Sequence, residues 1–185
     1  MPWRALWQVV LAACVTMLLA TPPAPAQENG LLERAIKATY LYKFAPFVEW
    51  PKTAFASPES PFVICVLGAN PFGDVLDEAV AGQRLFNRPI AVQRLSVVTA
   101  GSGCQILFAG TSPAQPVRAA LAAVRGTPVL SVTDSEDNEG AKGIINFVIQ
   151  DNHVRFQIDD AAAAANGLVI SSKLLSLAVE VTPRT

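Results

Sequence analysis

The sequence predicts an α/β fold: one three-layer domain on a mostly parallel sheet, with a C-terminal antiparallel hairpin. Two observations carry this. Between residues 62 and 132, short apolar runs bounded by Gly and Pro alternate with helical segments, the pattern of βαβ units on a parallel sheet. After Gly140 the period changes. Ile145, Phe147 and Ile149 share one face, then Val154, Phe156 and Ile158 do, across the turn Asp151-Asn152. Such alternation around a turn pair of that type is a hairpin with one buried face.

The chain opens with Met1-Pro-Trp-Arg, then Ala5 to Ala20, apolar apart from Gln8 and Thr16, then a Pro-rich stretch ending Ala24-Pro25-Ala26. A charged start, an apolar middle and a small-x-small site in that order predict a signal peptide over 1–26, cut before Gln27. The apolar run falls short of the roughly 18 residues of a spanning helix. Leu11-Ala-Ala-Cys14 resembles a lipoprotein cleavage box, but the later Ala-x-Ala site and intact apolar run favour ordinary cleavage. Residues 27–185 then form one domain, expected outside the cytoplasm.

Glu28 to Trp50 reads as a helix, bent or ended by Pro46 and closed at Trp50-Pro51, with Leu32, Ile36, Tyr40, Phe44 and Phe47 as its apolar stripe and Glu33, Arg34 and Lys37 off it. Phe62-Val-Ile-Cys-Val-Leu, stopped by Gly68, is a strand buried on both faces. Pro71 to Ala81 is helical, Pro89 to Val98 a strand, and Cys104 to Phe108 a buried strand. A helix is expected from Ser112, its N-cap, to Val124, and a strand over Val129 to Val132. Behind the hairpin, Asp159 caps a helix Asp160 to Ala165 that ends at Asn166-Gly167, and Lys173 to Val179 is a last short helix.

Formal net charge is −1 at pH 7, and the leader removes only Arg4. With no basic stripe, nucleic-acid binding has no electrostatic support. The mature chain keeps two cysteines, Cys65 and Cys104, on runs that read as strands. In a disulfide-permissive compartment a bridge is the expectation, with two free buried thiols as the alternative. Two cysteines are too few for a metal site.

No catalytic constellation emerges. His153 is the only histidine, out of step with Val154 and Phe156, and so expected on the hairpin's outer face with Arg155 and Gln157. Asp134-Ser-Glu-Asp-Asn-Glu-Gly is an acidic cluster without EF-hand spacing, expected to be a solvated loop without a metal. Ser171-Ser-Lys173 is explained by helix capping. Gly68-Ala-Asn-Pro-Phe-Gly lacks the dinucleotide spacing. No enzyme and no cofactor are expected.

Seven stretches together resemble the YfiR family of periplasmic regulators: Ala38-Thr-Tyr-Leu-Tyr-Lys-Phe-Ala-Pro-Phe-Val-Glu-Trp-Pro, Ile64-Cys-Val-Leu-Gly-Ala-Asn-Pro-Phe-Gly, Cys104-Gln-Ile-Leu-Phe, Pro128-Val-Leu-Ser-Val-Thr-Asp, Gly143-Ile-Ile-Asn-Phe, Val154-Arg-Phe-Gln-Ile and Gly167-Leu-Val-Ile-Ser-Ser-Lys-Leu-Leu-Ser-Leu-Ala. The resemblance implies a periplasmic α/β domain, often dimeric, with a disulfide between Cys65 and Cys104. It implies repression of an inner-membrane diguanylate cyclase through its periplasmic region, which lowers cyclic-di-GMP and biofilm formation. An outer-membrane, peptidoglycan-associated lipoprotein would relieve that repression by sequestering the regulator. Two departures stand out: the second cysteine pair some members carry near the hairpin is missing, and the usual Gly-Gly is Lys142-Gly143.

The competing class is a periplasmic small-ligand or cell-wall-fragment binding module, using the crevice at the strand ends around Ala69-Asn70 and the 134–139 loop. An interaction surface on the hairpin itself would be built from Asn146, His153, Arg155 and Gln157, because Ile145, Phe147, Val154, Phe156 and Ile158 are assigned to the core.

Overall fold

The computed structural model describes residues 25–136 and 140–184. The expected leader, with Cys14, lies outside them apart from Pro25 and Ala26, as do residues 137–139 of the acidic loop. In chain order the elements are α1 (Pro25–Phe44), β1 (Val48–Glu49), β2 (Phe62–Leu67), α2 (Val75–Val80), β3 (Arg84–Leu85), β4 (Arg88–Leu95) and β5 (Ile106–Ala109). They continue with α3 (Val117–Ala123), β6 (Leu130–Asp134), β7 (Ile145–Gln150), β8 (His153–Asp159), α4 (Asp160–Ala165), β9 (Val169–Ile170), α5 (Ser172–Leu175) and β10 (Glu180–Thr182).

Eight strands form one sheet in the order β10-β8-β7-β6-β5-β2-β4-β3. From β4 to β7 neighbouring strands are parallel, as are β8 and β10; the hairpins β3–β4 and β7–β8 are antiparallel. The architecture is the predicted one. β2 and β5, buried throughout, supply both interior layers. Phe62, Ile64, Val66, Ile106 and Phe108 meet α1 and α2 on one side, while Val63, Cys65, Leu67, Leu107 and Ala109 meet α3 on the other. This two-sided burial explains why these strands are apolar without alternation.

Cys65 on β2 and Cys104, just before β5, are joined by a disulfide with their Cα atoms 5.7 Å apart. The pairing of β2 with β5 brings them together, so the bridge, and not the pair of free thiols, is what the fold contains.

Local elements differ from the sequence reading in four places. The first helix ends just before Pro46, as that proline allows, with Ala45–Phe47 in a 3-10 turn, but Val48–Glu49 then form a strand that pairs antiparallel with Val169–Ile170. The helix expected from Ser112 begins at Val117, because Pro113 and Pro116 disfavour helical geometry in the residues before them. Ser112 instead accepts from the Ala114 N–H at 3.3 Å and donates to the Ser96 carbonyl at 3.0 Å. The last helix stops at Leu175, and Glu180–Thr182 adds a parallel edge strand to β8. Strand β3, two residues long, has no apolar run to announce it.

Candidate interaction face

Alternation along β7 and β8 sends Phe147, Val154, Phe156 and Ile158 into the core and Asn146 and Gln157 to the opposite face, while His153 and Arg155, at the turn end of β8, border the α1 side. Those four residues do not form one surface. Register aligns Thr133, Asn146, Gln157 and Glu180 in a row across β6, β7, β8 and β10. Every step of the row is hydrogen-bonded. The Thr133 hydroxyl donates to Asn146 Oδ1 at 2.8 Å, Asn146 Nδ2 to Gln157 Oε1 at 3.2 Å, and Gln157 Nε2 to Glu180 Oε2 at 2.5 Å. Asn146 is only 2% exposed. Expected on an open surface, it is structural instead, because Thr133 and Gln157 satisfy its amide beneath β10.

His153 and Arg155 remain exposed, near the hairpin turn. The imidazole Nδ1 lies 2.6 Å from the Asp151 carbonyl oxygen, a contact within the turn. The Arg155 guanidinium lies 3.5 Å from the Val154 carbonyl. β10 pairs with β8 only from Gln157 onward, so Arg155 stands beside a stretch of β8 whose outer edge is free of a partner strand.

Across from that edge lies α1, which is apolar on two sides. Ala38, Leu41, Phe44 and Ala45 are fully buried in the core. The predicted stripe is rotated from this one: Leu32 is 61% exposed, and Ile36 and Tyr40 are half-buried. These side chains line a trough against β8 and α5. One part, of about 290 Å³, is bordered by Leu32, Ile36, Tyr40, Ile149 and His153. The other, of about 390 Å³, is bordered by Tyr40, Phe47, Phe156, Leu174 and Leu177. Both share Tyr40, Val154 and Arg155, so the two parts adjoin along α1.

The rim is locally positive in a chain of net charge −1. Lys43 and Arg155 border the trough, and the Lys173 ammonium sits 5.9 Å from the centre of the Phe47 ring. None of the three has a carboxylate partner among the described residues. Glu33, the acid on this rim, is engaged by Lys37.

Lys37 itself, expected on the solvent side, is 4% exposed and bonded to Asp134 and Glu33. Burial pushes its pKa down, but the hydrogen bonds to Asp134 and Glu33 outweigh that and hold it above the ordinary lysine value. Asp134, expected in a solvated loop, is buried with it. Glu33, Asp134 and Glu136 place oxygens within 4.8 Å of one another, and the Lys37 ammonium bonded to two of them offsets part of their charge.

At the strand ends proposed for a small ligand, the main chain after β2 is bonded to the main chain after β5. The Ala69 N–H donates to the Thr111 carbonyl at 2.9 Å and the Gly110 N–H to the Leu67 carbonyl at 3.2 Å. Asn70 is spent on its own turn, accepting from Phe72 N–H and donating to the Gly73 carbonyl.

A family model described as YfiR/HmsC-like matches residues 34–179, from the third turn of α1 almost to β10. The chain belongs to the YfiR/HmsC-like family. A search of curated proteins finds no match. The YfiR/HmsC-like family is one of periplasmic regulators of diguanylate cyclase signalling, regulatory in character and not catalytic. No helix among the described residues is long and apolar enough to cross a membrane. The YfiR/HmsC-like match covers the disulfide, the polar row up to Gln157 and nearly the whole trough. Of the stripe expected on α1, Phe44 lies in the core and Ile36, Tyr40 and Phe47 pack against it, whereas Leu32 stands in the open; the buried Ala38 and Leu41 beside the stripe carried no separate sequence signal.

Proposed function

We propose that this chain is a non-enzymatic periplasmic repressor of an inner-membrane diguanylate cyclase. It binds the cyclase's periplasmic region, holds the enzyme inactive, and so lowers cyclic-di-GMP and biofilm formation. An outer-membrane, peptidoglycan-associated lipoprotein relieves the repression by sequestering the regulator, which acts as a homodimer. The family match over residues 34–179 carries the reading. Two features support it. The best-formed polar groups, Lys37 with Asp134 and the row from Thr133 to Glu180, are consumed in structural bonds. Exposed Leu32 and Leu177 lie on a trough with a charged rim, the usual composition of a protein contact.

In thermodynamic terms the regulator needs only differential affinity for the inactive cyclase: a hundredfold preference shifts the equilibrium by about 2.7 kcal/mol. The test is a deletion strain. Cyclic-di-GMP rises when the gene is removed and returns with the chain restored to the periplasm, and the cyclase's periplasmic region co-purifies with it. Unchanged cyclic-di-GMP together with no membrane partner overturns the proposal.

A further inference from the structure

We infer that the trough between α1, β8 and α5 docks an amphipathic helix whose apolar stripe is flanked by carboxylates, presented by the regulated membrane protein. The inference rests on the regulatory reading for the identity of that protein, and on the surface itself for the chemistry of the contact.

Consider first the apolar requirement. A helix apolar on two sides is ordinarily covered on both. The core covers Ala38, Leu41 and Phe44. Ile36 and Tyr40 are only half-covered, resting on the core with Tyr40 against the Phe147 and Phe156 rings, while Leu32 stands 61% exposed on one bank and Leu177 59% on the other. From Leu32 to Phe47 the concave surface runs about 22 Å at 1.5 Å per residue, room for about four helical turns. Apolar anchors at i, i+3, i+4 and i+7 fill such a groove.

The shape also chooses among occupants. An added β-strand would have to pair with the free edge of β8, but only His153 to Phe156 precede the β10 pairing, and the Phe156 carbonyl already accepts from the Val179 N–H. One or two residues' worth of ladder bonds is too few to seat a strand. A bilayer surface is met by a protruding apolar face, whereas this one is recessed between α1 and α5. Charge then sets the partner's sign. Lys43, Arg155 and Lys173 surround the trough, while Glu33, bonded to the Lys37 ammonium that it shares with Asp134, borders only the part at Leu32. Carboxylates beside the docking stripe gain at all three positions, and lysines there are repelled.

The probes are two stapled 18-residue helical peptides with the same Leu stripe, one flanked by Glu and one by Lys. The full mature chain should bind the Glu peptide at least tenfold more tightly at low salt, three rim pairs being enough for that ratio. The preference should shrink as salt shortens the Debye length. The double variant Lys43→Glu/Arg155→Glu should invert it, and Leu177→Ser, at an exposed position, should weaken both peptides. Equal binding of the two peptides, or a preference that survives charge reversal, overturns the inference. So does tighter, Lys43/Arg155-dependent capture on phosphatidylglycerol vesicles, which would make the occupant a membrane. Dimerisation that Leu177→Ser abolishes would make it a second copy and likewise overturns the inference. A charge-reversed variant that still represses the cyclase in cells removes this docking site and leaves the regulator standing. Unchanged cyclic-di-GMP on deletion removes the regulator whichever peptide binds.

Discussion

Lys37 is buried although charged, because Asp134 and Glu33 both accept from its ammonium. Its position was legible: Lys37, Leu41, Phe44 and Val48 lie at i, i+4, i+7 and i+11, one side of a helix and its continuation. Its residue type argued the other way, and its partner Asp134 is 97 residues distant, a separation no local pattern reveals. Removing one member of a buried pair strands the other, so Lys37→Met should cost about 3–5 kcal/mol in urea unfolding. The folded pKa is raised above the ordinary value of 10.5. The ammonium's contribution is therefore complete below about pH 10.5 and lost as pH climbs through the folded value. The gap between wild type and Lys37→Met should stay level from pH 7 to about 10 and narrow above; a gap that narrows already at pH 8 would contradict the pairing. Gly68 is a second single-residue constraint. Its φ is +73° and an added Cβ would fall 2.3 Å from the Thr111 carbonyl oxygen, so Gly68→Ala should destabilise by at least about 1–3 kcal/mol.

Two hairpins show where elements could be read and where they could not. Asp151 and Asn152 adopt φ of 50° and 59°, the left-handed pair that a two-residue turn between twisted strands requires, and their residue types advertise it. Phe86 and Asn87 do the same between β3 and β4, at φ of 51° and 62°. A phenylalanine there is unexpected, and β3 is too short to show alternation. Strands β1, β9 and β10 were hidden for the same reason: two or three residues carry no period, and their pairing depends on partners elsewhere in the chain. The long-period features, β2, β5, the β7–β8 hairpin and the Asp159 cap on α4, were all visible. The trough was not, since an apolar stripe does not say whether core or partner will cover it. For the β7–β8 turn, Asn152→Ala should cost about 1–2 kcal/mol, the penalty of a left-handed alanine, while Asn152→Gly should cost little. Equal losses for both in thermal unfolding would mean that the Asn152 side chain, not its backbone, is what matters.

At the scale of the whole molecule the disulfide and the trough lie on opposite sides of the sheet. Cys65 and Cys104 belong to the layer between the sheet and α3, whereas α1, Phe156 and Leu174 belong to the other core. The bridge closes a loop spanning 39 positions that contains α2, β3 and β4. On the chain-entropy model such a closure stabilises the fold by about 4 kcal/mol. A domain of this size has roughly 5–15 kcal/mol to lose, so the Cys65→Ala/Cys104→Ala variant should remain folded. Its urea midpoint should fall by about 2 M for an m-value near 2 kcal/mol/M. Because no element of the trough touches the bridge's layer, the loss should be global, with no local opening at the trough. The double-alanine variant, held well below its midpoint, should therefore bind the Glu-flanked peptide within about threefold of wild type. A larger change in affinity at unchanged far-UV circular dichroism would mean that the sheet transmits the state of the bridge to the docking face. Redox control would then act on recognition. With affinity preserved, reduction reaches the regulator only by lowering the fraction of chains that are folded.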